Sequence, residues 1–125
     1  MSLLEKPAKG ERWLTKAEQV KLLCQSVNDW NLWRAKHPQI KVLDLCGVDL
    51  SGRNLTEANL SHVELRGANL RCTILSSANL YFADFEGTVL DDTILDGAHT
   101  YRCIGLPAEI RLQLVGELIV SWGVE

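Results

Sequence analysis

From residue 45 to residue 95 an apolar side chain recurs at every fifth position. Leucine stands at 45, 50, 55, 60, 65, 70, 75, 80, 90 and 95, and phenylalanine at 85. A spacing of five fits neither the 3.6-residue turn of a helix nor the two-residue repeat of a strand. Leucine makes up only about a tenth of ordinary chains, so chance does not explain the run. A second row lies two residues before each of these: Leu43, Val48, Arg53, Ala58, Val63, Ala68, Thr73, Ala78, Ala83, Thr88 and Thr93. It is mostly small or β-branched, and Arg53 is its outlier. The other three positions of each five are polar, charged or glycine with few exceptions.

The pattern changes on both sides of this block. Thr15-Lys-Ala-Glu18 is a capping box, in which the Thr15 hydroxyl accepts from the third helical N–H and Glu18 reaches back. Val20, Leu23, Val27 and Trp30 follow at spacings of three and four, and Trp33 extends the stripe. Pro38 ends helical geometry at His37, so a single helix over about 16–36 is expected. The first dozen residues are expected to be loosely ordered. After the repeat, Pro107 and Glu109 suit a first helical turn. Ile110, Leu114, Leu118 and Trp122 line one face of the helix predicted there, and Val115 and Ile119 widen it.

The stretches "NLTEANL", "RGANLRC", "SSANLYFADFEG" and "LDGAHT" resemble the A(N/D)LxX unit of the pentapeptide-repeat family over about 41–101, roughly half of the chain. The flanking helices resemble those of bacterial, especially cyanobacterial, members. The resemblance implies a β-solenoid, namely a right-handed four-sided β-helix with one pentapeptide per side and twenty residues per coil. It points the Leu/Phe row and the row two before it inward. About three coils follow, a rod about 14 Å tall at the usual strand spacing. Stacked coils bury a column that no single coil can bury. An open end would expose leucines and unpaired backbone, so the helices are read as caps. The expected organisation is one structural domain: a helical cap over 1–40, the β-helix over 41–103 and a capping helix over 104–125.

With twenty residues per coil, positions n, n+20 and n+40 stack on the outside. Asp44, Glu64 and Asp84 then form an acidic column, with Cys46, Arg66 and Glu86 beside it. Asn59, Asn79 and His99 form another, expected to hydrogen-bond along the stack. Ser61, Tyr81 and Tyr101 stack beside His62, Phe82 and Arg102. Exposed aromatics with arginine are the composition of an interaction hot spot. Tyr81, Phe82, Tyr101, His62 and Arg102 are therefore the candidate partner-binding residues, unless a terminal segment folds over them. Leu112, Val115, Ile119 and Trp122 are the candidate contact of a homodimer. Arg53, out of place in an inward row, is expected to reach the N-terminal opening, with Asp29 as candidate partner.

Charge and chemistry narrow the function. The formal net charge is −3, too mild to call for a membrane or nucleic-acid partner. Residues 1–40 carry 7 basic and 4 acidic groups, and residues 41–103 carry 5 and 9. The four cysteines are 22 to 31 residues apart and form no CxxC pair. Free thiols and a cytoplasmic location are expected, since no secretory leader or long apolar run is visible. His37, His62 and His99 converge with no nucleophile, and His99 with Cys103 gives two ligands where a metal site needs more. No catalytic residue, metal or cofactor is assigned. The leading reading is a non-enzymatic interaction or scaffold module with an unknown protein partner. The alternative, taken from the family, is a DNA mimic that binds a type II topoisomerase (gyrase). Three coils carry few acids against duplex DNA's one charge per about 1.7 Å of axis.

Overall fold

The computed structural model describes residues 14–111. Two helices, α1 (Lys16–Gln25) and α2 (Val27–Lys36), precede a coiled segment that contains β1 (Leu43–Asp44) and β2 (Val63–Glu64). The single helix expected over 16–36 is broken at one residue. Ser26 is extended (φ −160°, ψ 113°), and its side chain accepts from the Asp29 N–H while its own N–H closes α1 on the Leu22 carbonyl. A serine hydroxyl competes with the helical ladder for local N–H groups and so favours a cap. The Thr15–Glu18 capping box forms as read, with both reciprocal bonds present.

The rest of the fold is a β-solenoid. β1 and β2 pair in parallel, Leu43 with Val63 and Asp44 with Glu64. Further parallel bridges join Asp49 to Asn69, Asn54 to Ile74, Asn59 to Asn79, and so on up to Asp84 with Ile104. Every pair is twenty residues apart, and the pairs fall into four series beginning at 44, 49, 54 and 59. Five residues are thus one side of a four-sided coil. Backbone groups pair between coils, as in Leu45 N–H to Glu64 O at 2.8 Å and Asn69 N–H to Val48 O at 2.9 Å.

The inward rows form the core. The leucines from 45 to 80 and Phe85 are essentially solvent-free, as are Ala58, Ala68, Ala78 and Ala83 beside them. Fully burying one such leucine stabilises by about 1.5–3 kcal/mol. The rows run further than leucine marks them, because Ile40 and Thr100 are buried at the same spacing. Threonine is admitted because its hydroxyl is satisfied. Thr73 donates to Leu50 O at 2.8 Å and Thr93 to Leu70 O at 2.6 Å, each onto the coil below. Arg53 is exposed. Among the described residues it makes no ion pair with Asp29; its charge acts instead on Asp49. With no coil beneath the first one, the side chain has an open path to water.

The helices meet the first coil through side-chain donors. Trp30, fully buried, gives its Nε1–H to Asn59 O at 2.8 Å. Arg34 donates to Asn59 O and Ser61 O, Asn31 donates to Glu57 O and accepts from Asn59 N–H, and Lys16 reaches Cys46 O. These bonds satisfy groups that a further coil would otherwise have paired. At the other end Gly105 (φ +85°) lies flat on the previous coil. A Cβ there would overlap the Glu86 backbone nitrogen and lie 2.6 Å from the Phe85 carbonyl carbon. Leu106 is buried, residues 108–111 are helical and Ile110 packs against the core. The helix expected beyond them, with Leu112, Val115, Ile119 and Trp122, lies outside the described residues, as does the N-terminal segment for which loose order was expected.

Candidate functional site

The corners of the coil decide what faces water. Each side ends in a β-turn closed on the inward residue's carbonyl, as in Ala68 N–H to Leu65 O at 2.9 Å. The third turn residue has positive φ, the type II pattern that favours glycine. One corner series satisfies this with Gly47, Gly67 and Gly87 (φ 74°, 71° and 73°). Another presents His62, Phe82 and Arg102 at φ 61°, 63° and 61°. It is the series without a glycine, and a bulky side chain in this region costs about 1–2 kcal/mol. Where an Asx residue precedes the inward residue, its side chain helps to close its own turn. Asn79 Oδ1 accepts from Tyr81 N–H at 3.1 Å, and Asn59 Oδ1 from Ser61 N–H and Oγ. The asparagine column therefore bonds along its own chain, two residues ahead. The expected bonding along the stack is replaced because the nearer N–H has no partner in the sheet.

The five candidate residues come together on this corner. The rings of His62 and Phe82 stack at 4.8 Å, 8° from parallel. Tyr101 meets Tyr81 and Phe82 edge-on at 5.7 and 6.0 Å, and the Arg102 guanidinium lies 5.4 Å over the Tyr101 ring. Tyr81, Phe82 and Tyr101 remain 41%, 45% and 55% exposed. His99 joins the cluster edge-on to Tyr81 at 6.1 Å. It was missed as a member from sequence, although its place twenty residues after Asn79 marked the column. Arg34 was missed too. It grips Ser61 O at 3.0 Å below His62, and burial pushes its guanidinium down to about 10.

The acidic column is present but largely compensated. Asp44, Glu64 and Asp84 are bridged in series. Lys16 lies 3.6 Å from Asp44, and Arg66 lies 4.0 Å from Asp84. The Cys46 N–H, ahead of Lys16, holds the Asp44 carboxyl below its ordinary range, while burial first and then Asp44 push the Cys46 thiol up. Ligand atoms of Asp44, Cys46 and Glu64 lie within 4.8 Å of one another, a closeness that follows from the acidic column and the Cys46 row beside it. The Lys16 ammonium already serves it, 2.7 Å from Cys46 O.

All four cysteines are thiols. Cys103 sits in the inward second row, where its thiol donates to Leu80 O at 2.8 Å and burial pushes it up to about 12. A shallow open groove of about 660 Å³ lies on the helices, lined in part by Leu22, Leu32, Trp33 and His37. No helix among the described residues is long and apolar enough to cross a membrane.

Comparison with known proteins finds the same kind of repeat. The family model described as pentapeptide repeats matches in eight copies, over residues 43–71, 54–92 and 73–99. Among curated proteins none matches. Three cyanobacterial pentapeptide repeat proteins of solved structure are similar. Rfr23 of Cyanothece 51142 is 33% identical, over 49% of this chain and 46% of its own, with a TM-score of 0.34. HetL of Nostoc sp. strain PCC 7120, involved in heterocyst differentiation regulation, is 29% identical over 48% of this chain and 31% of its own (TM-score 0.32). The protein alr5209 of Nostoc PCC 7120 is 32% identical over 56% and 74% (TM-score 0.31). The chain thus spans less than half the length of the first two.

Proposed function

The chain belongs to the pentapeptide-repeat family, and we propose that it is a non-enzymatic interaction module whose contact surface is the corner carrying Tyr81, Phe82, Tyr101, His62 and Arg102. Proteins of this family are in general interaction modules. One observation carries the assignment: His62, Phe82 and Arg102, the corner series without a glycine, gather with Tyr81 and Tyr101 into one ring cluster that stays about half exposed. Exposed tyrosine and arginine suit a binding hot spot. The test is capture of partners from the source cell by the wild-type chain and by Tyr81→Ser/Phe82→Ser, with folding checked by circular dichroism. Loss of a specific partner is expected; unchanged capture overturns the assignment.

The same proposal takes the solenoid as right-handed, of about three coils, closed by a helix at each end, and the protein as cytoplasmic. It includes a homodimer through Leu112, Val115, Ile119 and Trp122. A monomer mass by light scattering at every concentration would exclude the dimer. The alternative, a DNA mimic acting on a type II topoisomerase, has less support. Lys16 and Arg66 offset the acids at both ends of the column. Only that alternative predicts inhibition in a gel-based supercoiling assay.

A further inference from the structure

We infer that the groove on the two helices is the seat of the chain's own residues 1–13, which cross it as a strap with Leu3 and Leu4 against Leu22, Leu32 and Trp33. The inference is independent of the aromatic corner.

Three observations carry it. First, α2 is apolar on two sides. Trp30 is fully buried toward the first coil, where its Nε1–H reaches Asn59 O. Leu32 and Trp33 line the groove instead, and Leu32 is 59% exposed. A helix with one apolar stripe is completed by one contact, and a second stripe calls for another. Secondly, the groove is shaped for a length of chain. It offers about 660 Å³ but is shallow and open, whereas a site for a small molecule encloses most of its ligand. Its charges offset one another, Glu18 and Asp29 against Lys21 and Lys36, so it favours neither a nucleic acid nor another strongly charged partner. Thirdly, the chain enters at the groove itself. Leu14, the first described residue, lines it, so residues 1–13 set out from it with no linker to cross. Their large apolar members are Met1, Leu3, Leu4 and Trp13. A segment tethered this closely is present at an effective concentration of about millimolar, which any separate partner has to exceed.

Length allows the path. Gly10 is where the backbone turns back most easily. From there to Leu4 an extended chain spans about 20 Å, and the ten residues of α1 measure about 15 Å. Leu3 and Leu4 can therefore follow α1 and reach Leu32. Covered in this way, the groove is withheld from other chains until the strap is displaced.

The full-length chain with a photo-reactive Leu4→benzoylphenylalanine substitution tests this. Irradiation should join position 4 to Leu22, Leu32 or Trp33 within a single chain, equally at every protein concentration. Leu32→Glu, at an exposed position, should reduce that product about tenfold. Trypsin gives a second reading without the label. Cleavage after Lys9 and Arg12 should be about tenfold faster in Leu3→Ser/Leu4→Ser, which alters no residue of the helices or the coil, than in the wild type. Circular dichroism checks that each variant is folded, and the Leu3→Ser/Leu4→Ser comparison decides if Leu32→Glu is not. Cross-links to residues 41–105, or none, overturn the inference. Cross-links formed only between chains assign the groove to a second copy and overturn it too, as does equal cleavage of wild type and Leu3→Ser/Leu4→Ser.

Discussion

Two corners of the same coil carry out one backbone task with opposite residues. After Leu45, Leu65 and Phe85 the chain turns through Gly47, Gly67 and Gly87; after Leu60, Leu80 and Thr100 it turns through His62, Phe82 and Arg102. The φ values differ by about ten degrees, so the geometry required is the same. Glycine meets it without a Cβ penalty. The second corner accepts a penalty three times and receives a stacked ring cluster in return. Glu57, Cys72, Ser77 and Asp92 show that such corners admit other residues too, so what sets the second corner apart is three large side chains stacked in one series.

The comparison breaks most sharply where the chain leaves the second corner and lands on the first. Gly105→Ala puts a methyl group into the Phe85–Glu86 backbone. A loss of about 3 kcal/mol is expected from overpacking together with the left-handed backbone. Urea denaturation would measure it, and an unchanged midpoint would mean that residues 105–111 rest only loosely on the coil.

The residues that follow each corner differ in pH response. Thr88 stands at the first, while Cys103 stands at the second, its thiol pushed up to about 12 by burial. The folded state favours the neutral thiol, so its contribution is full below the unfolded value of about 9. Above that the unfolded chain loses the proton first. Stability then falls by up to about 1.4 kcal/mol per pH unit until the folded thiol also ionises. Cys103→Thr keeps a donor for Leu80 O, as Thr73 and Thr93 do for the coils below them. It should remove that alkaline loss in melts recorded between pH 8 and about 11, leaving the neutral-pH melt nearly unchanged. An identical alkaline slope in the variant would refute the assignment to Cys103.

Swapping the corners gives the smaller effects. At Gly67 an added Cβ meets open space, so Gly67→Phe should cost only the backbone term, about 1 kcal/mol. Phe82→Gly recovers a similar amount and gives up the stack on His62, worth about 0.5–1.5 kcal/mol. Its net change in stability should lie near zero while partner binding is lost. A variant destabilised by several kcal/mol would instead make Phe82 a structural residue and remove the main support for a contact surface.

Much of the fold was legible because each side of the coil performs the same task. Every fifth residue must be apolar and the one two before it small, whatever its neighbours. Thr100 escaped the leucine count because a buried threonine is recognisable only once its acceptor is known. The helix break at Ser26 was hidden because an apolar stripe reports which face is buried and is blind to a one-residue kink. The grouping of Tyr81, Phe82, Tyr101, His62 and Arg102 could be read, since twenty residues is four sides. That His99 joins them, and that Arg34 grips the Asn59 and Ser61 carbonyls of the first coil, could not, because the asparagine column pointed to a hydrogen-bonded ladder and Arg34 lay in a helix of unknown docking.

The sequence by itself therefore determined the five-residue inward rows, and, with the four sides per coil that the family resemblance implies, the twenty-residue register and the side chains that share a column. Those depend on a repeat that a short window contains in full. The tertiary structure decided which carbonyls Trp30, Asn31 and Arg34 satisfy, that Gly105 must touch backbone, how the rings of the cluster pack on one another, and that Arg53 leaves the core. These depend on groups from 19 to 29 residues apart, or on a corner dihedral shared by glycine and phenylalanine alike. No local pattern encodes such distances; the rise of the coil and the close fit of its layers set them.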